Sequence, residues 1–189
     1  MSEAATSAFG EGLVRLLAER GRQSTARPVR LIVLGDRSRG DDAVAYAAVH
    51  EALAGLAVPV RERIDVRETG QLDPADLVEI PDGGAAVVVD AVAGVPPGQL
   101  VSLPLGEIGP AADGAPVPRS SHVLPVDQLV ALAGVLRGGD PPGLLLGVGA
   151  EHFGFGDPLS PAVARAIPAL ATAVRKELER LVAGLEPTA

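Results

Sequence analysis

The chain has 189 residues, of which 47% are hydrophobic and 21% are charged. This composition is typical of one globular domain with a full core and excludes a disordered or fibrous protein. Sixteen basic and 24 acidic residues give a formal net charge of -8. Such a balance disfavours nucleic acid as a partner, because binding to phosphates needs cations. The chain contains no cysteine and only three histidines, so any metal must be held by carboxylates and imidazole.

The sequence also bears on where the protein acts. The first ten residues lack the basic start and apolar run of a signal peptide. No apolar stretch reaches the roughly 18 residues that a membrane-spanning helix needs. We therefore expect a cytoplasmic protein without a membrane partner.

Strand and helix patterns alternate along the chain. Residues 1–28 are predicted to form a helical extension and linker, and residues 29–189 a single domain. Short apolar runs predict strands at 29–34, 58–66, 85–89, 99–103 and 143–148, and helical spacing predicts helices at 41–56, 74–78, 126–136 and 161–183. The segment 104–118, rich in Gly and Pro, is predicted to be an exposed, mobile loop. The alternation predicts an α/β fold, a three-layer sandwich around a mostly parallel or mixed sheet.

Two familiar motifs are incomplete. The segment Gly35–Gly40 stands between a strand and a helix, where a phosphate-binding loop would lie. However, Asp41 and Asp42 follow it in place of Lys and Ser or Thr, and carboxylates repel phosphate. His50 is followed by Glu but has Ala54 where a helical zinc-protease motif needs its second histidine. Neither nucleotide binding nor this zinc chemistry is predicted.

Three residues stand out by their placement. Asp42 opens the helix after the first strand, Asp90 ends the most apolar strand, and His122 precedes the helix at 126–136. Ligands of open α/β sheets bind beyond the carboxyl ends of the strands. Two carboxylates and one imidazole suit a divalent metal such as nickel or zinc. Each residue also has a simpler interpretation: Asp41 or Asp42 as a helix cap, Asp90 as an acceptor for loop backbone, and His122 as a surface histidine or one with its hydrogen bonds satisfied.

Several short motifs occur together in one order. They are Leu34-Gly35-Asp36 with Asp41-Asp42, Glu68-Thr69-Gly70, Asp90-Ala91-Val92 with Pro97-Gly98, Ser121-His122-Val123-Leu124, and Gly147-Val148 followed by Leu159-Ser160-Pro161. From about Val29 to Ala183 the chain resembles the hydrogenase maturation proteases in this series. Those proteases trim the carboxyl-terminal extension of nickel–iron hydrogenase large subunits. The chain departs from the family pattern at Asp36, where the family usually has asparagine.

The resemblance implies a phosphorylase/hydrolase-like three-layer sandwich and an aspartic-type endopeptidase. Its nickel ligands, carried over residue by residue, fall on Asp42, Asp90 and His122. The nickel would be supplied by the substrate, with other divalent metals as substitutes, and the partner would be the large-subunit precursor of a nickel–iron hydrogenase. We expect a monomer. The group that activates the hydrolytic water is not identified, so the three metal-site residues are the best catalytic candidates.

Two other functions are compatible with the same motifs. A non-catalytic assembly chaperone could use the site only to recognise the metal-loaded precursor. A peptidase of the same fold could act on an unrelated substrate.

Overall fold

The computed structural model describes residues 28–108 and 126–185. Five strands form one sheet: β1 (Val29–Leu34), β2 (Ile64–Thr69), β3 (Ala85–Val92), β4 (Leu100–Pro104) and β5 (Gly143–Gly149). Five α-helices accompany them: α1 (Val44–Ala54), α2 (Val58–Arg61), α3 (Pro74–Val78), α4 (Val126–Arg137) and α5 (Pro161–Gly184). Two 3-10 turns, η1 (Gly40–Ala43) and η2 (Leu105–Glu107), follow β1 and β4.

The strand order in the sheet is β2-β1-β3-β5-β4. The first four strands in that order run parallel, and β4 pairs with β5 in the antiparallel direction at one edge. β3 is buried along its whole length because it lies in the middle of the sheet and has helices on both faces. The predicted mixed α/β sheet is thereby confirmed, and the strand near residue 100 lies at its edge.

Apolar residues cover both faces of the sheet. One cluster joins the odd-numbered residues of β1 and β3 to α1 and α5, and the other joins the even-numbered residues to α3 and α4. This division follows from the strand period of two, which sends successive side chains to opposite faces. The result is the three-layer sandwich predicted from the sequence.

Local sequence signals explain where two helices begin. The side chain of Asp73 accepts a hydrogen bond from the N–H of Ala75, and Ser160 does the same for Val163. Each cap is followed by a proline in the first turn of the helix, where the missing N–H costs nothing. α3 matches its predicted bounds, and α5 differs from the prediction by a single residue.

Three predicted elements differ from the structure. Residues 58–61 form the short helix α2, and the second strand begins only at Ile64, because Pro59 favours the first turn of a helix. The predicted helix at 41–56 begins as η1 and becomes α-helical only at Val44. The predicted loop 104–118 instead begins with β4 and η2, where Leu105 is fully buried.

Some predictions fall outside the described residues. These include the helical extension within residues 1–27, most of the 104–118 loop, and His122. The division into an extension and one domain therefore stays a prediction. Within the part of the chain that the structure describes, no helix is both long enough and apolar enough to cross a membrane.

Candidate functional site

The crevice between β1 and β3 is the natural ligand position in this sheet. From β1 the chain passes through α1, on one face, to β2; it then returns through α3, on the other face, to β3 on the opposite side of β1. The connections diverge at this point and leave a gap beyond the carboxyl ends of the two strands. Such switch points are where open α/β sheets bind their ligands.

Asp42 comes from the connection that follows β1. It lies in η1, is only 3% exposed, and its Oδ2 accepts a hydrogen bond of 2.9 Å from the N–H of Asp36. Neither η1 nor α1 has a side-chain cap. The alternative interpretation of Asp42 as a helix cap is therefore wrong, because its carboxylate is used across the loop.

Asp90 comes from the neighbouring strand. It lies inside β3 rather than at its end, and it is 2% exposed. Val33 pairs with Val89 in the parallel register, so Leu34 at the end of β1 is opposite Asp90. Neighbouring strands of a sheet lie about 4.8 Å apart. Alternation places Asp90 on the face that α3 and α4 cover. Its Oδ1 accepts a hydrogen bond of 2.8 Å from the N–H of Ala91, which belongs to the same strand and not to a loop.

Helix α4 begins at the same edge of the sheet. Its last residue, Arg137, donates hydrogen bonds to the carbonyls of Leu77, Val78 and Ile80, which lead toward the start of β3. The opposite end of α4 therefore lies toward the carboxyl edge, on the face that Asp90 occupies. His122 lies four positions before this helix and outside the described residues.

Asp127, in the first turn of α4, was not predicted as a site residue. It is 8% exposed, and its Oδ1 has no hydrogen-bond partner among the described residues. In the sequence it looks like one polar position of an amphipathic helix, so periodicity alone gives no signal for its burial.

Asp41 is the most enclosed acid of this region, with no exposed surface. Its Oδ1 accepts a 2.6 Å hydrogen bond from the N–H of Ser160, and its Oδ2 accepts bonds of 3.2 and 3.3 Å from the N–H groups of His152 and Glu151. Burial would raise the pKa of Asp41, but these hydrogen bonds outweigh it and lower the pKa below its ordinary value. The sequence predicted a cap here, whereas the structure shows a long-range contact.

Two glycines explain the phosphate-loop-like spacing. Gly35 has φ +114° and a Cβ there would lie 2.3 Å from the carbonyl oxygen of Asp42. Gly40 has φ +49° and its Cβ would lie 2.4 Å from the carbonyl oxygen of His152. Both positions need glycine for left-handed backbone and close approach. The spacing therefore serves the packing of the loop against its neighbours.

The outer rim of the loop carries charged and aromatic groups. The guanidinium of Arg37 lies 4.2 Å from the centre of the Tyr46 ring, and it forms an ion pair of 2.6 Å with Glu68. The Tyr46 hydroxyl donates to the carbonyl of Gly35 at 2.8 Å. Burial and the charge of Glu68 raise the pKa of Tyr46, so this hydroxyl stays protonated as a donor at neutral pH.

The structure thus brings Asp42 and Asp90 to one edge of the sheet, on the two sides of the crevice. Within residues 28–108 and 126–185 there is no group of three or more His, Asp or Glu side chains that could hold a metal ion. The predicted set of three ligands consequently depends on His122.

Several solved structures have a similar fold. The maturation protease HycI from Thermococcus kodakarensis is 19% identical, with a TM-score of 0.59 over 85% of this chain and 98% of that one. The endopeptidase HybD from E. coli is also 19% identical, with a TM-score of 0.59 over 80% and 92% of the two chains. The endopeptidase HycI from E. coli, solved in solution, is 18% identical, with a TM-score of 0.56 over 78% of this chain and 89% of that one.

The fold is that of the hydrogenase maturation proteases. The resemblance seen in the motifs is therefore confirmed at the level of the fold, over most of the chain. No protein-family model matches the sequence, and no curated protein matches it. At about 20% identity the likeness concerns the architecture alone.

Proposed function

We propose that this protein is an endopeptidase that removes the carboxyl-terminal extension of a nickel–iron hydrogenase large-subunit precursor after nickel insertion. One observation supports it above all: in a maturation-protease fold, Asp42 in the turn that follows β1 and Asp90 in the adjacent strand β3 lie at the edge of the sheet where the β1–β3 crevice opens. These are the residues that the motif resemblance assigns to the nickel site. We further propose that the enzyme acts as a monomer in the cytoplasm.

The donor set fits a nickel ion carried by the substrate. Carboxylate oxygen from Asp42 and Asp90 with imidazole nitrogen from His122 would make a mixed set suited to nickel or zinc, and other divalent metals could substitute. Buried carboxylates are costly unless they are bonded, and the N–H groups of Asp36 and Ala91 supply that support. Such bonds also orient the carboxylates before the ion arrives.

In this proposal the ion anchors the precursor. Nickel already bound in the precursor would complete its coordination with the three side chains, which places the scissile peptide bond at the crevice. A metal ion there can polarise the peptide carbonyl as a Lewis acid. Recognition of nickel would then restrict cleavage to precursor that has received its metal.

The test is cleavage of nickel-loaded and nickel-free precursor, followed by intact-mass measurement. We expect one defined mass loss with the loaded precursor and none with the nickel-free form. Asp90→Asn and His122→Ala should abolish the mass loss. The matched control is Asp82→Asn, which removes one negative charge from an exposed turn before β3, at the opposite edge of the sheet.

The outcomes separate the competing functions. A chaperone would bind loaded precursor without any mass loss, and the two site variants would weaken that binding. A peptidase with an unrelated substrate would neither cleave nor bind the precursor. Cleavage that is equal with and without nickel would contradict the metal-anchor mechanism.

A further inference from the structure

Hydrogen bonds link the segment that follows β5 to the segment that follows β1. These two segments, residues 150–160 and 35–43, belong to strands that are not neighbours, because β3 lies between them. Two strand spacings amount to about 9.6 Å, so the β5 connection must span the width of β3 to reach the other segment. We call the joined segments the loop bridge.

Backbone and side-chain hydrogen bonds hold the loop bridge together. The N–H of Asp41 donates to the carbonyl oxygen of His152 at 2.7 Å. The N–H of Gly40 donates to the carbonyl oxygen of Asp157 at 3.2 Å. The N–H of Gly156 donates to the carbonyl of Ser38 at 2.7 Å. The Asp41 carboxylate adds the three bonds from Ser160, His152 and Glu151, and it is the most heavily bonded group of the bridge.

Asp42 follows Asp41 directly in the four-residue turn η1. A shift of Asp41 would therefore move the backbone of Asp42 and pull its carboxylate from the N–H of Asp36. We propose that Asp41 is a positioning residue, whose buried carboxylate fixes η1 against the β5 connection and so presents Asp42 to the crevice. The consequence for catalysis rests on the proposed function, whereas the placement of Asp42 does not.

An asparagine at position 41 tests the proposal because it has one acceptor oxygen where the aspartate has two. Its NH₂ group would face either the N–H of Ser160 or those of Glu151 and His152, and two donors repel each other. The N–H of Asp36 reports on Asp42, since its exchange with solvent is slowed by the bond to the Asp42 carboxylate. Amide exchange of Asp36 is measured by NMR on the full chain.

We expect Asp41→Asn to accelerate exchange of the Asp36 amide by about tenfold or more, toward the rate in Asp42→Ala. The control is Val174→Ala, which removes two methyl groups from a fully buried position in α5 and destabilises the core without touching the bridge. It should leave the Asp36 rate near the native one. An Asp36 rate in Asp41→Asn equal to that of Val174→Ala would overturn the proposal.

A second pair of variants serves if Asp41→Asn does not fold. Ser160→Pro removes the N–H that donates to Asp41, and the φ of -63° at Ser160 is suited to proline. Ser160→Ala removes only the hydroxyl cap of α5 and keeps that N–H. Faster Asp36 exchange in Ser160→Pro than in Ser160→Ala supports the proposal, and equal rates contradict it.

Function is measured on the same variants. Cleavage of nickel-loaded precursor, measured as kcat/KM, should fall about 10- to 100-fold in Asp41→Asn, because loss of the support of a metal ligand typically costs that much in metal affinity or activity. If Asp36 exchange accelerates while cleavage by both Asp41→Asn and Asp42→Ala stays native, the positioning role stands and the proposed function fails. Failure of the positioning role and failure of the proposed function therefore give different results in these two measurements.

Discussion

Buried charged side chains have different partners at the two ends of the sheet. Near the amino ends of the strands, Arg30 is 4% exposed and lies 3.4 Å from a carboxylate oxygen of Asp65. Arg67 pairs with the same Asp65 at 3.2 Å and with Asp76 at 3.3 Å. At the carboxyl ends, Asp41, Asp42 and Asp90 accept hydrogen bonds from backbone N–H groups.

Under the proposed function, the difference separates a structural role from a functional one. The arginines and aspartates near the amino ends form ion pairs with each other, so their charges compensate within the protein and stabilise the fold. Backbone N–H groups orient a carboxylate and lower the cost of its burial, but they leave its negative charge in place. In the proposed function these oriented carboxylates would bind a cation at the carboxyl edge, whereas the carboxylates of Asp65 and Asp76 already lie beside arginines.

The largest effect is expected from Asp90→Asn. The amide oxygen can still accept the N–H of Ala91, so the fold should persist, but the charge that a divalent ion needs is lost. We expect cleavage of nickel-loaded precursor to fall by at least about 100-fold while the protein stays folded. Native cleavage by folded Asp90→Asn would show that the carboxyl edge has no functional charge.

Arg30→Met tests the other end of the sheet. Removing the buried guanidinium leaves Asp65 with only the partly exposed Arg67, and it removes the hydrogen bond to the carbonyl of Asp76. We expect a loss of about 2–3 kcal/mol in the free energy of unfolding by urea titration. Cleavage per folded molecule should stay native. Arg67→Met, on the rim of the same network, should cost less than about 1 kcal/mol.

Asp41→Asn should show a pH-dependent loss of stability. The folded-state pKa of Asp41 lies below its ordinary value of 3.8, so its carboxylate stabilises the fold above that pH and stops doing so as the pH falls through the folded pKa. We expect the variant to be about 1–3 kcal/mol less stable at pH 7. The difference from native should shrink below pH 3.8, whereas the deficit of Val174→Ala should stay constant. A deficit in Asp41→Asn that does not change with pH would contradict this.

The smallest effect is expected from Glu68→Gln. Arg37 and Glu68 form an ion pair whose side chains are both at least half exposed, and such pairs contribute little. The free energy of unfolding should change by less than about 0.5 kcal/mol, and the change should vanish at about 1 M salt. A larger loss would mean that the rim of the β1 connection helps to hold the fold.

The sequence predicted the regular parts of the fold because they depend on local patterns. The apolar run 85–89 identified the central strand, Asp73 with Pro74 identified the start of α3, and Gly35 marked the end of β1. The segment 58–66 failed because its apolar residues fit a strand, while Pro59 begins a helical turn. The exposed loop predicted at 104–118 was wrong at its start, because Leu105 lies in η2 and tertiary packing buries it completely.

The sequence by itself determined the α/β alternation, because it depends on neighbours within a few residues, and it pointed to Asp42 and Asp90 by their places after and within apolar strand patterns. Only the tertiary structure decided the role of Asp41. In the sequence it is a candidate helix cap beside Asp42, whereas its three hydrogen-bond partners lie 110 to 119 positions away. Such a contact leaves no trace in local periodicity. It exists because the order β1-β3-β5 brings two distant connections to the same edge of one sheet.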